Sequence, residues 1–295
     1  MILWNKSNII FVILHSLIIE FKRKDFMTGK KVLYVSSEVI PYLPDNDIST
    51  LSYKLPKMVN ENGGQTRIFI PKYGLINERR HQLHEVIRLS GMNLIIDDLD
   101  MPLIIKVASI PKERMQVYFI DNDEYFKNRL LHADENKKLY KDNDERAIFF
   151  AKGVVETIKK LNWSPDIIHI HGWITALVPI YLKEYYKNEP LFSNSKVIVS
   201  LYGDEIKGKL DSKIVNKLQF DQIESETLSV LDDTTYENLF KLAVLNSDGV
   251  ILASDNVNES IIDLANKHKK PTLICGFKEG YEKEYLEFYN TKILS

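Results

Sequence analysis

The chain has 295 residues, 44% of them hydrophobic and 27% charged, with a formal net charge of −2. Its 39 Lys and Arg stand against 41 Asp and Glu without a long basic block, which excludes the electrostatic footprint of a nucleic-acid-binding protein. Cys275 is the single cysteine, so an internal disulfide and a multi-cysteine metal site are excluded, and a reducing cytoplasm is the expected location.

Residues 9–19 form a largely apolar run followed by Lys22, Arg23 and Lys24. The run is shorter than the roughly 17 to 25 residues needed to cross a bilayer, so no membrane partner is expected. No small-residue cleavage pattern follows it either. Met27 opens the stretch that leads into the first strand. Residues 1–26 are therefore expected to be an upstream extension or a short apolar leader, and 27–295 the folded domain.

From there the chain alternates short apolar runs with helical patterns. Strands are predicted at 32–35, 66–70, 104–108, 116–120, 167–170, 197–201, 249–253 and 272–276. Helices are predicted at 48–62, 145–161, 176–186, 235–245, 257–268 and 282–289. Such alternation predicts an α/β fold, a single Rossmann-like doubly wound parallel sheet. In the last helix, Tyr281, Tyr285 and Phe288 are expected to pack back on the domain.

The strand at 167–170 runs into His169, His171 and Trp173. Open α/β sheets bind ligands outside the carboxyl ends of their strands, so these side chains are expected at a ligand crevice. The competing reading for each histidine is a hydrogen-bonded core residue. His81 and His84 have the spacing of a metal pair, but lack a third ligand and read better as a solvated helix face. Ser200, Asp204 and His169 lack the Gly-x-Ser-x-Gly turn of a hydrolase.

Several segments together resemble the glycogen and starch synthases. They are Ser37-Glu38-Val39 with Pro41-Tyr42, Leu55-Pro56-Lys57, Ile70-Pro71-Lys72-Tyr73-Gly74, Asp142-Asn143 with Arg146, and Pro165 to His169 with His171, Trp173 and Thr175-Ala176-Leu177. The resemblance covers roughly residues 30–290. It implies the N-terminal half of a GT-B glycosyltransferase, one that moves glucose from ADP-glucose to an α-1,4-glucan, with no cofactor and no metal. It places His171 as the catalytic residue beside the glucose, and Trp173, Tyr202 and Asp47 as substrate-binding. Asp142, Asn143 and Arg146 are expected to cap a helix, with Arg146 bonding neighbouring carboxylates.

The chain departs from the family between Leu43 and Thr50. Where synthases carry Lys-Thr-Gly-Gly-Leu-Gly-Asp, this sequence has Pro44, Asp45, Asn46, Asp47, Ile48, Ser49 and Thr50. Asp47 or Ser49 is expected to cap the following helix, and both aspartates repel a phosphate. An Asp-x-Asp metal site is the weaker alternative, and a calcium loop fails because Thr50 and Pro56 occupy its key positions. Tyr202-Gly203 stands where the family has His-Asn, and Gly172 where it has Asp. These departures count against ADP-glucose as a ligand of this chain alone. Three expectations follow: a synthase completed by a partner protein that supplies a donor domain, a non-catalytic glucan-binding or regulatory remnant, or an interaction protein using the former domain interface.

Overall fold

The computed structural model describes residues 26–113, 115–203, 206–276 and 280–295. The expected leader thus lies outside the described residues, apart from the exposed Phe26. Met27 is wholly buried and donates its backbone N–H to the carbonyl of Asn62.

Among the described residues ten strands form the sheet: β1 (Lys31–Ser36), β2 (Gln65–Pro71), β3 (His84–Glu85), β4 (Met92–Ile96), β5 (Leu99–Ile110), β6 (Met115–Asp121), β7 (Ile167–His171), β8 (Lys196–Leu201), β9 (Gly249–Leu252) and β10 (Thr272–Ile274). Their order is β10-β9-β8-β7-β1-β2-β6-β5-β3, with β4 paired to β5. The run from β10 to β6 is parallel. This is the predicted doubly wound core, and its strands read as continuous apolar runs because both faces are covered.

The far edge differs from the predicted all-parallel sheet. β5 is antiparallel to β6, and β3 and β4 are antiparallel to β5. A two-residue turn at Asp97-Asp98, with Asp97 at φ 57°, joins β4 to β5. His84 therefore sits on an edge strand against Val107 and not on a helix face, which corrects the reading of His81 and His84. Among the described residues no cluster of three or more His, Cys, Asp or Glu is arranged to hold a metal. No helix of the described residues is long and apolar enough to cross a membrane.

The main helices are α1 (Asp47–Glu61), α2 (Asn143–Leu161), α3 (Ile214–Phe220), α4 (Tyr236–Leu245), α5 (Glu259–Lys267) and α6 (Tyr281–Phe288). The helix predicted at 176–186 breaks into a 3₁₀ turn at Trp173–Thr175, a turn at Val178–Ile180 and a π turn at Tyr181–Tyr185. Pro179 is the cause, since it has no N–H and its ring crowds the carbonyl four residues earlier. α6 returns to the sheet as expected and buries Tyr281, Tyr285 and Phe288.

Candidate functional site

The strand order reverses at β1, with β2 on one side and β7 on the other. The crevice at this switch point lies between the carboxyl ends of β1 and β7, where Ser36 pairs with His171. Gly172 crosses it at φ 83°, and a Cβ there would stand 2.1 Å from Ser37 Oγ. No side chain fits at 172, so the absence of the family's aspartate is built into this backbone.

Both histidines are wholly buried. His169 bonds Tyr289 Oη through Nδ1 and Ser200 Oγ through Nε2, each at 2.7 Å. Ser200 and His169 do meet, yet the other ring nitrogen faces a phenol and not a carboxylate, and neither side chain is reachable from solvent. His169 is a satisfied core residue whose basicity is driven well down by burial, with the neighbouring His171 adding to the effect. His171 bonds Tyr202 Oη through Nδ1 at 2.7 Å, while its Nε2 has no hydrogen-bond partner. Burial pushes its pKa down to about 3, so it is neutral at physiological pH.

Trp173 is also buried and meets Tyr236 edge to face, with ring centroids 5.5 Å apart. Its indole Nε1 lacks a partner. Burial raises the phenol of Tyr202 well above its ordinary value, and the nearby charge of Asp47 adds to the rise. The structure therefore joins His171 to Tyr202, feels Asp47 there only through its charge, and packs Trp173 against Tyr236. Tyr202 and Tyr236 both line a cavity of about 190 Å³ with Phe240, Glu237, Asn258 and Lys207. That is below the roughly 300–1,000 Å³ of sites for drug-sized ligands. It has room for one sugar ring of a chain and not for a whole nucleotide sugar.

The N-terminus of α1 borders the crevice and is closed by its own side chains. Asn46, in extended conformation, is the N-cap: its Oδ1 accepts from Ser49 N at 2.8 Å, and Ser49 Oγ accepts from Asn46 N at 2.9 Å. This reciprocal capping box satisfies two helix-end groups at once. It corrects the expected cap: Asp47 is the first helical residue, and Ser49 closes the box from the third position. Asn46 Nδ2 donates to the buried Glu38 at 2.7 Å, and Thr50 donates to Asp45. Three carboxylates thus stand where an incoming phosphate would need free amides.

Arg146 corrects another expectation. It is fully buried at α2 and donates to the carbonyls of Tyr125 and Leu130 and to Asn143 Oδ1, at 2.7–2.9 Å. Its partners are neutral oxygens, while Asp142 pairs with Arg129. Asn143 donates to Tyr236 Oη at 2.7 Å. The Asp142-Asn143-Arg146 motif therefore braces the tyrosine that covers Trp173, and Asp142 makes no side-chain cap. Exposed large apolar side chains such as Ile95, Leu99, Tyr185 and Phe220 belong to other parts of the surface than this crevice. The sequence reading missed Tyr236, Tyr289, Asn46 and Glu38. Glu38 carried a signal as part of the Ser37-Glu38-Val39 segment, and Asn46 as one of the cap-forming residues of the loop that departs from the family.

A family model described as the starch synthase catalytic domain matches residues 31–274. The chain is 35% identical over 236 residues to the glycogen synthase of Chlorobium phaeovibrioides, covering 78% of this chain and 47% of that protein. It is 38% identical over 196 residues to the glycogen synthase of Chlorobium limicola, covering 66% and 40%. The chain thus spans less than half the length of these relatives. The catalytic domain of starch synthase IV from Arabidopsis thaliana, solved with ADP and acarbose, is similar in fold at a TM-score of 0.69 and 17% identity, over 87% of this chain and 53% of that one.

Proposed function

Because the chain belongs to the starch synthase catalytic domain family, we propose that it serves α-1,4-glucan synthesis from the acceptor side, holding a glucan at the carboxyl end of the sheet. Its own α1 loop leaves the diphosphate of ADP-glucose unheld. The observation that carries this reading is the closure of the α1 N-terminus by Asn46 and Ser49 beside Glu38, Asp45 and Asp47. Helix N-termini favour phosphate through free N–H groups and the positive end of the dipole. Here the Ser49 amide is taken by the Asn46 cap and the local charge is negative.

Glucose transfer breaks the bond from sugar C1 to the β-phosphate oxygen and makes a new bond from C1 to the acceptor O4. Negative charge collects on the departing ADP and needs preorganised donors. In this reading those donors come from a partner that supplies a donor domain. The cavity beside Tyr202 and Tyr236 takes one glucosyl unit, with aromatic faces against its C–H surface. Glu237 and Asn258 bond its hydroxyls. His171 positions the Tyr202 hydroxyl and stays neutral throughout.

Reopening the loop tests this. Titrated with ADP, the unaltered chain gives no saturable heat, whereas Pro44→Lys/Asn46→Gly/Asp47→Gly gains at least tenfold in affinity. As a cap change Asn46→Gly costs only about a few tenths of a kcal/mol, but it also removes the bond to Glu38, so a urea unfolding curve accompanies the titration. ADP binding to the unaltered chain as tightly as to the variant contradicts the reading.

A further inference from the structure

A second cavity, of about 580 Å³, opens at the other end of the strands, at the amino ends of β2 and β6. It is lined by Gln65, Thr66, Arg67, Lys112, Gln116 and Trp163, with Ser109 to Pro111 closing one side, and no carboxylate is among the lining residues. This is an unusual charge balance for a chain whose net charge is −2.

Arg67 is held in a fixed pose. Its guanidinium lies 5.1 Å from the centroid of Trp163 and 5.4 Å from that of Tyr118. It donates through Nη1 to Tyr118 Oη, which donates in turn to Gln116 Oε1 at 3.0 Å. Its buried Nε has no partner. Among the described residues no ion pair involves Arg67, Lys112 or Arg88, and Arg88 is near enough for its charge to act on Tyr118. A guanidinium that served only to pack would ordinarily find a carboxylate or carbonyl for a buried N–H. Lys112 adds a second cation from the β5–β6 turn, where it adopts φ 70°, a conformation that ordinarily favours glycine.

We propose that this cavity is a binding site for a small phosphate monoester, with Arg67 and Lys112 gripping the phosphate and Gln65, Thr66 and Gln116 bonding a polar organic part. The planar fork of arginine matches tetrahedral oxyanions, and stacking on Trp163 and Tyr118 preorganises it. The volume falls within the usual range for small-molecule sites and exceeds what a bare phosphate fills. The site is independent of the crevice, since it lies at the opposite end of β2 from the switch point.

Calorimetry at fixed ionic strength tests the assignment, using ribose 5-phosphate, inorganic phosphate and ribose as probes. Ribose 5-phosphate binds saturably, inorganic phosphate at least tenfold more weakly, and ribose not at all. Equal binding of the two phosphates would keep the anion site and identify its ligand as free phosphate. Lys112→Gly suits the backbone at φ 70° and so folds, yet weakens ribose 5-phosphate at least fivefold. Arg67→Met keeps the stack on Trp163 and abolishes measurable binding. No saturable heat from either phosphate, or unchanged affinity in both variants, overturns the proposal.

Discussion

The protein loses about 3 kcal/mol of stability between pH 6.5 and pH 5, well before most carboxylates titrate. His169 and His171 are buried and neutral, and burial holds both folded-state pKa values far below 6.5, that of His171 at about 3. The sign follows from proton linkage. Below pH 6.5 the unfolded chain takes up protons that the folded chain refuses, so stability is complete above the unfolded pKa and drains away as pH falls toward the folded values. Each histidine contributes a slope that is half of about 1.4 kcal/mol per pH unit at pH 6.5 and approaches that value toward pH 5. Asp121 and Asp144 act the opposite way near pH 4, since burial raises both against the nearby ammonium groups of Lys106 and Lys217. Urea unfolding midpoints measured at half-unit steps from pH 7 to 4.5 give the slope. Burial lowers His132 and His81 as well, so they add to it, and His171→Asn removes only its own share. A slope that the substitution leaves unchanged would show that another group titrates.

Lys152→Met destabilises the fold by about 3–5 kcal/mol, because it strands a carboxylate inside the protein. Lys152 on α2 pairs with Asp221 at 2.7 Å, and the two side chains are 4% and 6% exposed. The ammonium also donates to the carbonyl of Ile95 at 2.7 Å, and Tyr181 Oη donates to the other Asp221 oxygen at 2.5 Å. Removing the lysine leaves Asp221 with one neutral donor in place of an ammonium. A drop in Tm of roughly 10 °C is expected for a chain of this size. Lys152→Met/Asp221→Asn recovers most of the loss, since the amide is neutral and still accepts from Tyr181. A double variant as unstable as the single one would mean that Lys152 acts through packing alone.

The parallel core was legible because strands covered on both faces need continuous apolar runs, as in Val32 to Val35 and Ile167 to Ile170. The hairpin of β4 and β5 was not, because its strands are half exposed and Pro102 falls inside β5. Proline fits there because β5 at Pro102 pairs with β4 alone, its pairing with β6 beginning only at Ile104, a fact of pairing and not of pattern. The cap of α1 was legible as a cap but not in its position. Asp45, Asn46, Asp47 and Ser49 are all good N-cap residues, and only the extended backbone of Asn46 decides among them.

At the crevice, sequence pattern placed His171 at a strand end but gave no sign that it would be sealed. The seal comes from Tyr202, 31 residues on, and His169 is satisfied by Tyr289, 120 residues on. Long-range partners of this kind leave no local periodicity. Family likeness found the Asp142-Asn143-Arg146 motif, while the structure shows that its work is to bind carbonyls and brace Tyr236.

Under the proposed function this chain holds glucan without holding donor phosphate. Paired calorimetric titrations of the unaltered chain, with a linear malto-oligosaccharide and with ADP-glucose, test it most directly. Saturable heat is expected with the oligosaccharide, lost in Tyr236→Ala, and none with ADP-glucose. Binding of ADP-glucose with no response to the oligosaccharide would contradict it.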